Sequence, residues 1–432
     1  KPALALDKKS SSPTFLSRLH NPVKGKLHIV AVMVEFEEDD NRFTTGNGTF
    51  SNSGMAFLDN PNIRIDPLPH NQNYFEAHLE FAKNYFETVS NGVFEIEYTV
   101  VPEIVKLSGK MEKYSPTGRD LNFQPVAEMA AETWEKVNQQ NLISSIPQSD
   151  IETAFVIFHA GAGRDIELVG TSLNKTPQDI PSVYLSKSAF RNIYNDPAFE
   201  GFPLEEADRT VNNTLILPRT LSRPGEDVSG NPFVLQLSTN GLVAAQIGSH
   251  IGLPDLFDTE SGQSGIGRFG LMDGAGIFSY NGLFPPEMSA WEKTFLGWTE
   301  PSILATDSEL TAELPAVSLR QDNSAFKVEL SKSEYFLIEN RHRDPDSNGV
   351  TIDIQRPDGS IVTQTFTNNN RRFTFQQQGF EELLEPGVVI SVSDYDFSLP
   401  GGLFEMDDDT ENFRELNGGI LIWHIDENII AE

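Results

Sequence analysis

Two short runs of β-branched and apolar residues, KLHIVAVMVEF (26–36) and TAFVIFHAG (153–161), stand far apart in the chain with two helical stretches between them. Runs this short and this uniformly apolar suit strands covered on both faces. Strands interleaved with helices bury those faces only in a layered structure, so an α/β or α+β fold is expected.

The first helical stretch, 73–92, spaces Phe75, Leu79, Tyr85 and Phe86 at helical intervals and stops at Asn91-Gly92. The second, 125–141, opens with Pro125 and is rich in Ala, Glu and Lys. A third, NGLVAAQIGSHIG (240–252), ends at Gly252 and Pro254, and a fourth, 285–298, has Pro286 in its first turn. After Pro301 the texture changes: 325–331, 334–341, two segments around the turn Pro357-Asp358-Gly359, 388–396 and 418–426 all predict strands.

This divides the chain into a polar extended leader over 1–26, a mixed domain over 27–300 and a β-rich domain over 301–432. The final ENIIAE carries no terminal signal, which leaves the β-rich part open to extension past residue 432.

A net charge of −31, from 63 acidic and 32 basic residues, argues against nucleic acid and anionic membrane as partners, since both attract clustered Lys and Arg. No run approaches the roughly 18 apolar residues of a membrane span. With no cysteine, the chain has no disulfide, thiol nucleophile or Cys-type zinc site. Any metal must be held by His, carboxylate or carbonyl oxygen.

The stretch AAQIGSHIGLPDLFD (244–258) bears most directly on function. A zinc-peptidase helix carries His-Glu-x-x-His because residues i and i+4 share a helical face, so two imidazoles grip one ion while the Glu takes a proton from the bound water. A third ligand follows beyond a glycine turn. In this chain Gly252-Leu253-Pro254 supplies the turn and Asp255 the candidate third ligand.

The wider sequence resembles the immune inhibitor A family of secreted bacterial zinc metallopeptidases, whose helix typically runs His-Glu-x-Gly-His-x-x-Gly-Leu-Pro-Asp-Leu-Tyr-Asp. Besides this helix, IVAVMVEF, YFETVSNGVFEI, FHAGAG, GLMDGAGIFSYNGLFPPEMSAWEKTFLGW, YFLIENR and GGILIWHID resemble family landmarks in order, across most of residues 27–426. The resemblance implies a zincin-like metallopeptidase domain followed by a β-rich C-terminal domain, in a secreted or extracellular protein.

Aligned on Gly252-Leu-Pro-Asp255, Ala245 falls at the first His, Gln246 at the Glu and Ser249 at the second His, while Gly248 and Asp255 match. Ala245 has no donor atom, Gln246 has no basic site near neutral pH, and Ser249 would have to ionise to bind zinc. Zinc is therefore not expected to be held. His250 is a weak substitute, because one residue along a helix turns about 100° away from the ligand face.

Met272, in GLMDG, matches the family's methionine turn, although a core-filling Met would look the same. His159, ending a strand before glycines, is read as structural. The acid clusters Asp394 and Asp396, and Asp407, Asp408 and Asp409, make calcium a possible cofactor, a hard cation suited to oxygen ligands.

The expected function is that of a catalytically inactive peptidase homologue that binds a peptide or protein partner or serves as a structural component. The alternative is an active metalloendopeptidase recruiting non-standard ligands, such as Asp255 with Asp258 or His250.

Overall fold

A computed structural model describes residues 22–116, 122–166, 171–173, 175–258, 262–274, 276–305, 311–367, 379–393, 396, 403–406, 413–416 and 418–430. The chain has mixed α/β structure, with several sheets and few helices.

The first sheet contains β1 (Gly25–Glu35), β2 (Phe94–Lys106), β3 (Ala154–Ala162), β4 (Val183–Leu185) and β5 (Thr214–Thr220), in the order β2-β1-β3-β5-β4. The first four in that order run parallel and β4 closes the edge antiparallel to β5. Burial on both faces explains the unbroken apolar text of β1 and β3, the two runs that predicted a layered fold. β1 begins two residues ahead of the expected leader boundary, because Gly25 and Lys26 already pair with Phe94 and Glu95.

Helices cover both faces. On one side lie α1 (Gln72–Val89) and, further along the chain, a helix over Asn240–His250; on the other lie α2 (Gln124–Gln139) and α3 (Lys187–Tyr194). α1 starts where the Asn71 side chain accepts from the Tyr74 amide at 3.2 Å, and ends where Asn91 and Gly92 take positive φ. It buries Phe75, Phe81 and Phe86 against the sheet, each worth about 1.5–3 kcal/mol of burial. On the opposite face α2 buries Trp134 on Phe155, and the indole N–H donates to Thr214 Oγ1 at 2.9 Å.

The Asn240–His250 helix is α4, and Ala290–Phe295 is α5. α5 is shorter than the expected 285–298 because Ser289 caps it: its hydroxyl accepts from the Glu292 amide while the Glu292 carboxylate accepts from the Ser289 amide. The two prolines before it stay outside.

The C-terminal part forms three further sheets among the described residues, the smallest a pairing of Leu403–Met406 with Phe413–Leu416. One joins β6 (Ser302–Ile303), β7 (Ala325–Glu329), β8 (Glu334–His342) and a later edge strand, Gly418–Asp426; another joins β9 (Val350–Gln355), β10 (Ile361–Phe366) and β11 (Val388–Val392). The Gly418–Asp426 strand is β12, followed by the short α6 (Glu427–Ile430). Leu337, Ile352 and Val389 from these sheets belong to the same buried cluster as Phe75, Ile247 and Trp291. The core thus runs continuously past residue 300. Among the described residues no helix is long and apolar enough to cross a membrane.

Candidate functional site

α4 is where the sequence places the question, and it is a core helix. All its residues from Asn240 to Ser249 are buried, so it is apolar nearly all round rather than striped. Its C-terminus is a complete Schellman motif: Leu253 N–H donates to Gly248 O at 3.0 Å and Gly252 N–H to Ser249 O at 3.1 Å. Gly252 sits at φ +96°, which is why this stop needs glycine.

At the positions matched to the two zinc-binding His and the Glu base, Ala245 and Gln246 have no exposed surface and Ser249 has 6%. The Ser249 hydroxyl donates to the Ala245 carbonyl at 3.3 Å, bonding back onto its own helix. Asp255 is half-buried on the segment after the turn. This donor set, a methyl, an amide and a back-bonded hydroxyl with one carboxylate, does not fit zinc. Among the described residues no three His, Asp or Glu side chains group to hold a metal ion.

His250 points elsewhere: its Nε2 lies 2.7 Å from the Glu152 carbonyl and its ring meets Tyr184 edge-on at 5.7 Å. Burial lowers its pKa.

Met272 lies directly against α4, where a Cβ added to Gly248 would fall 2.8 Å from its sulfur. Glu292 fixes the loop that carries it. The buried carboxylate accepts from Met272 N at 2.8 Å and Leu271 N at 3.2 Å, besides capping α5, while Met272 O accepts from Leu256 N at 3.0 Å. The loop, the α4 stop and α5 are thereby locked together. Burial raises the Glu292 pKa, against these donors.

Of the acids considered for calcium, Asp394, Asp407, Asp408 and Asp409 lie outside the described residues. Asp396 is 1% exposed and both its oxygens are held by Arg341, at 2.6 Å from Nε and 3.0 Å from Nη2. It is an ion-pair partner in the core. Arg341 also donates to the carbonyls of Phe269 and Glu287 at 3.1 Å each and lies 3.4 Å from Glu339, which also accepts from the Trp423 indole N–H at 2.7 Å.

Two buried polar groupings were not legible in the sequence. At the start of α4, Asp66 accepts from Thr239 N at 3.3 Å and faces His78 Nε2 at 3.4 Å, and Tyr74 donates to the Arg219 carbonyl at 3.0 Å. His70 stacks on Tyr74 at 4.0 Å and accepts from Arg219 Nε at 3.0 Å. These residues are fully buried, and a carboxylate at a helix N-terminus complements the helix dipole. The second grouping is His159, fully buried, whose Nδ1 accepts from the Gly161 amide at 3.2 Å while Nε2 has no hydrogen-bond partner among the described residues.

Burial pushes the His159 pKa down to about 3. A histidine depressed in the folded state takes up its proton only on unfolding, so it removes stability as pH falls below the unfolded value of about 6.5. Urea denaturation of a His159→Leu variant between about pH 6 and pH 4 is therefore expected to show an acid limb shallower than wild type by about 1.4 kcal/mol per pH unit. Parallel curves would show that His159 titrates normally in the fold.

No protein-family model and no curated protein matches the chain at a significant level. Among solved structures, a crystal structure of wild-type OgpA from Akkermansia muciniphila aligns over 94% of this chain and 84% of that one, at 10% identity and a TM-score of 0.27. A second crystal form of the same protein gives 94% and 85% coverage, 10% identity and 0.26. A likeness of that size establishes neither a shared fold nor a shared activity.

Proposed function

We propose that the chain is a secreted, catalytically inactive homologue of immune inhibitor A-type peptidases, a zincin-like scaffold that binds an extended peptide or protein partner. The observation that carries this reading is the contrast around α4. Supporting the reading are the glycine-stopped helix, Leu256, next after Leu-Pro-Asp, bonded to the Met272 carbonyl, and the Met272 sulfur against Gly248. The ligand and base positions hold Ala245, Gln246 and Ser249 instead, all buried. With Gln246 in place of a Glu there is no general base at that position of the helix, and the one imidazole of α4, His250, sits on the Glu152 carbonyl instead.

The sheets also leave strand edges unpaired among the described residues, and such an edge suits a protein that pairs with extended chains. Incubating the full chain with unfolded casein, with added zinc or with a chelator, is expected to give no cleavage above the protein-free control in either arm. Zinc-stimulated, chelator-sensitive cleavage would instead support a metalloendopeptidase using other ligands.

A further inference from the structure

Strand edges in soluble proteins are usually blunted by charge or proline, since an open edge invites another chain. β2, at one edge of the parallel sheet, follows that rule with exposed Glu95, Glu97 and Glu103 and with Pro102. β12 does not. It pairs with β8 along its whole length, from His342 opposite Gly418 to Glu334 opposite Asp426, and among the described residues no strand pairs with its other edge. From Gly418 to Trp423 it carries neither a charge nor a proline, and Ile420 and Ile422 are 54% and 65% exposed.

The C-terminal end of β12 opens on a cavity of about 330 Å³ walled by Leu256, Ile266, Trp291, Trp423, Ile425 and Ile429. Leu256 and Ile266 come from the loop that follows α4, so the cavity adjoins the segment carrying Asp255 although α4 itself is sealed in the core. The cavity's only carboxylate among the described lining residues is Asp426, no Lys or Arg lines it, and the neighbouring Glu334 holds His424 at 2.8 Å.

We propose that β12 and this cavity form the partner-binding site: an extended segment of another protein adds to the open edge as a further strand, seats a large apolar side chain between Trp291 and Trp423, and places a Lys or Arg beside Asp426. The main-chain pairing supplies affinity and the pocket supplies choice of side chain. Charge decides between occupants. A second copy of this chain would bring another −31 and another Asp426 to the same edge, whereas a basic segment meets a complementary rim. The inference rests on the peptide-binding half of the function proposed above and is independent of whether the chain retains hydrolysis.

The test uses the full chain and a fluorescein-labelled heptapeptide, Lys-Val-Lys-Phe-Lys-Val-Lys, followed by anisotropy and by the chain's own tryptophan emission, which the probe lacks. Saturable binding with a change in that emission is expected, weakened at least about tenfold by Ile429→Lys and by Asp426→Lys, and at least about tenfold weaker for the matching Glu peptide. Ile429 is 69% exposed, so its replacement leaves the fold intact; Ile361→Lys, at a 61% exposed site on β10, adds the same charge elsewhere and is expected to leave affinity unchanged.

Absence of saturable binding, binding that both β12-side variants leave unchanged, or equal affinity for the Glu peptide overturns the proposal. So does a dimer in sedimentation that Ile429→Lys dissociates, because the edge then belongs to a second copy. The mass of the recovered probe separates the two readings: zinc-dependent cleavage of a probe whose binding still depends on Ile429 sinks the inactive-peptidase reading and leaves this site standing.

Discussion

Replacing Arg341 with alanine is expected to destabilise the protein by about 3–5 kcal/mol, the range seen when one partner of a buried ion pair is removed. Arg341 is 1% exposed and Asp396 and Glu339 beside it are equally sealed, so neither acid can recover its hydration once the guanidinium is gone. The carbonyls of Phe269 and Glu287 lose their donor as well. These contacts join β8 to the loop before Met272 and to the approach to α5. The loss is thus felt on both sides of residue 300. Against a total stability of roughly 5–15 kcal/mol, a deficit of this size should be visible as a large drop in the denaturation midpoint. Arg341→Lys keeps the charge without the two-pronged grip on Asp396 and is expected to fall between alanine and wild type. An alanine variant within about 0.5 kcal/mol of wild type would show that the network contributes no net stability.

Glu292→Ala is expected to cost at least about 3 kcal/mol, since three buried amides, those of Leu271, Met272 and Ser289, lose their acceptor at about 1–3 kcal/mol each. The alanine also leaves α5 without half of its capping box. Glu292→Gln retains one carbonyl oxygen and is expected to recover part of the loss. Because the Met272 loop rests on this carboxylate, hydrogen exchange at Leu271, Met272 and Leu256 should rise in the alanine variant more than exchange in α2 across the sheet. Uniform acceleration everywhere would mean that Glu292 supports only global stability and does not hold the loop specifically.

The parts of the fold legible in the sequence are those whose cause is local. β1 and β3 announce themselves because central parallel strands are apolar on both faces, and α4 ends where Gly252 and Pro254 say it must. β5 was not legible because Thr214–Thr220 contains Pro218 and Arg219, which argue against a central strand. The structure admits Pro218 opposite His159 where the pairing with β3 shifts register. β2 was missed for the opposite reason: its alternating glutamates and Pro102 look like a loop until one sees that it is an edge.

The site shows the same division. That Ala245, Gln246 and Ser249 offer neither an imidazole nor an acid is visible in the letters alone. That Ser249 bonds back to Ala245 and that Met272 sits on Gly248 required coordinates. Asp396 illustrates the limit most clearly: within its own neighbourhood it looks like one acid of a cation-binding cluster, but an arginine 55 positions earlier in the chain occupies both its oxygens. Asp66 likewise meets Thr239, which lies 173 positions on, and no local pattern foretells such a partner.

Elemental analysis of the full chain, purified without chelator and equilibrated with one equivalent of zinc before gel filtration, tests the central claim most directly. With a methyl, an amide and a back-bonded hydroxyl at the positions where the proposed relatives carry two imidazoles and a base, the protein is expected to emerge with far less than one zinc per chain. One retained zinc per chain, lost with chelator together with a measurable proteolytic activity, would contradict it.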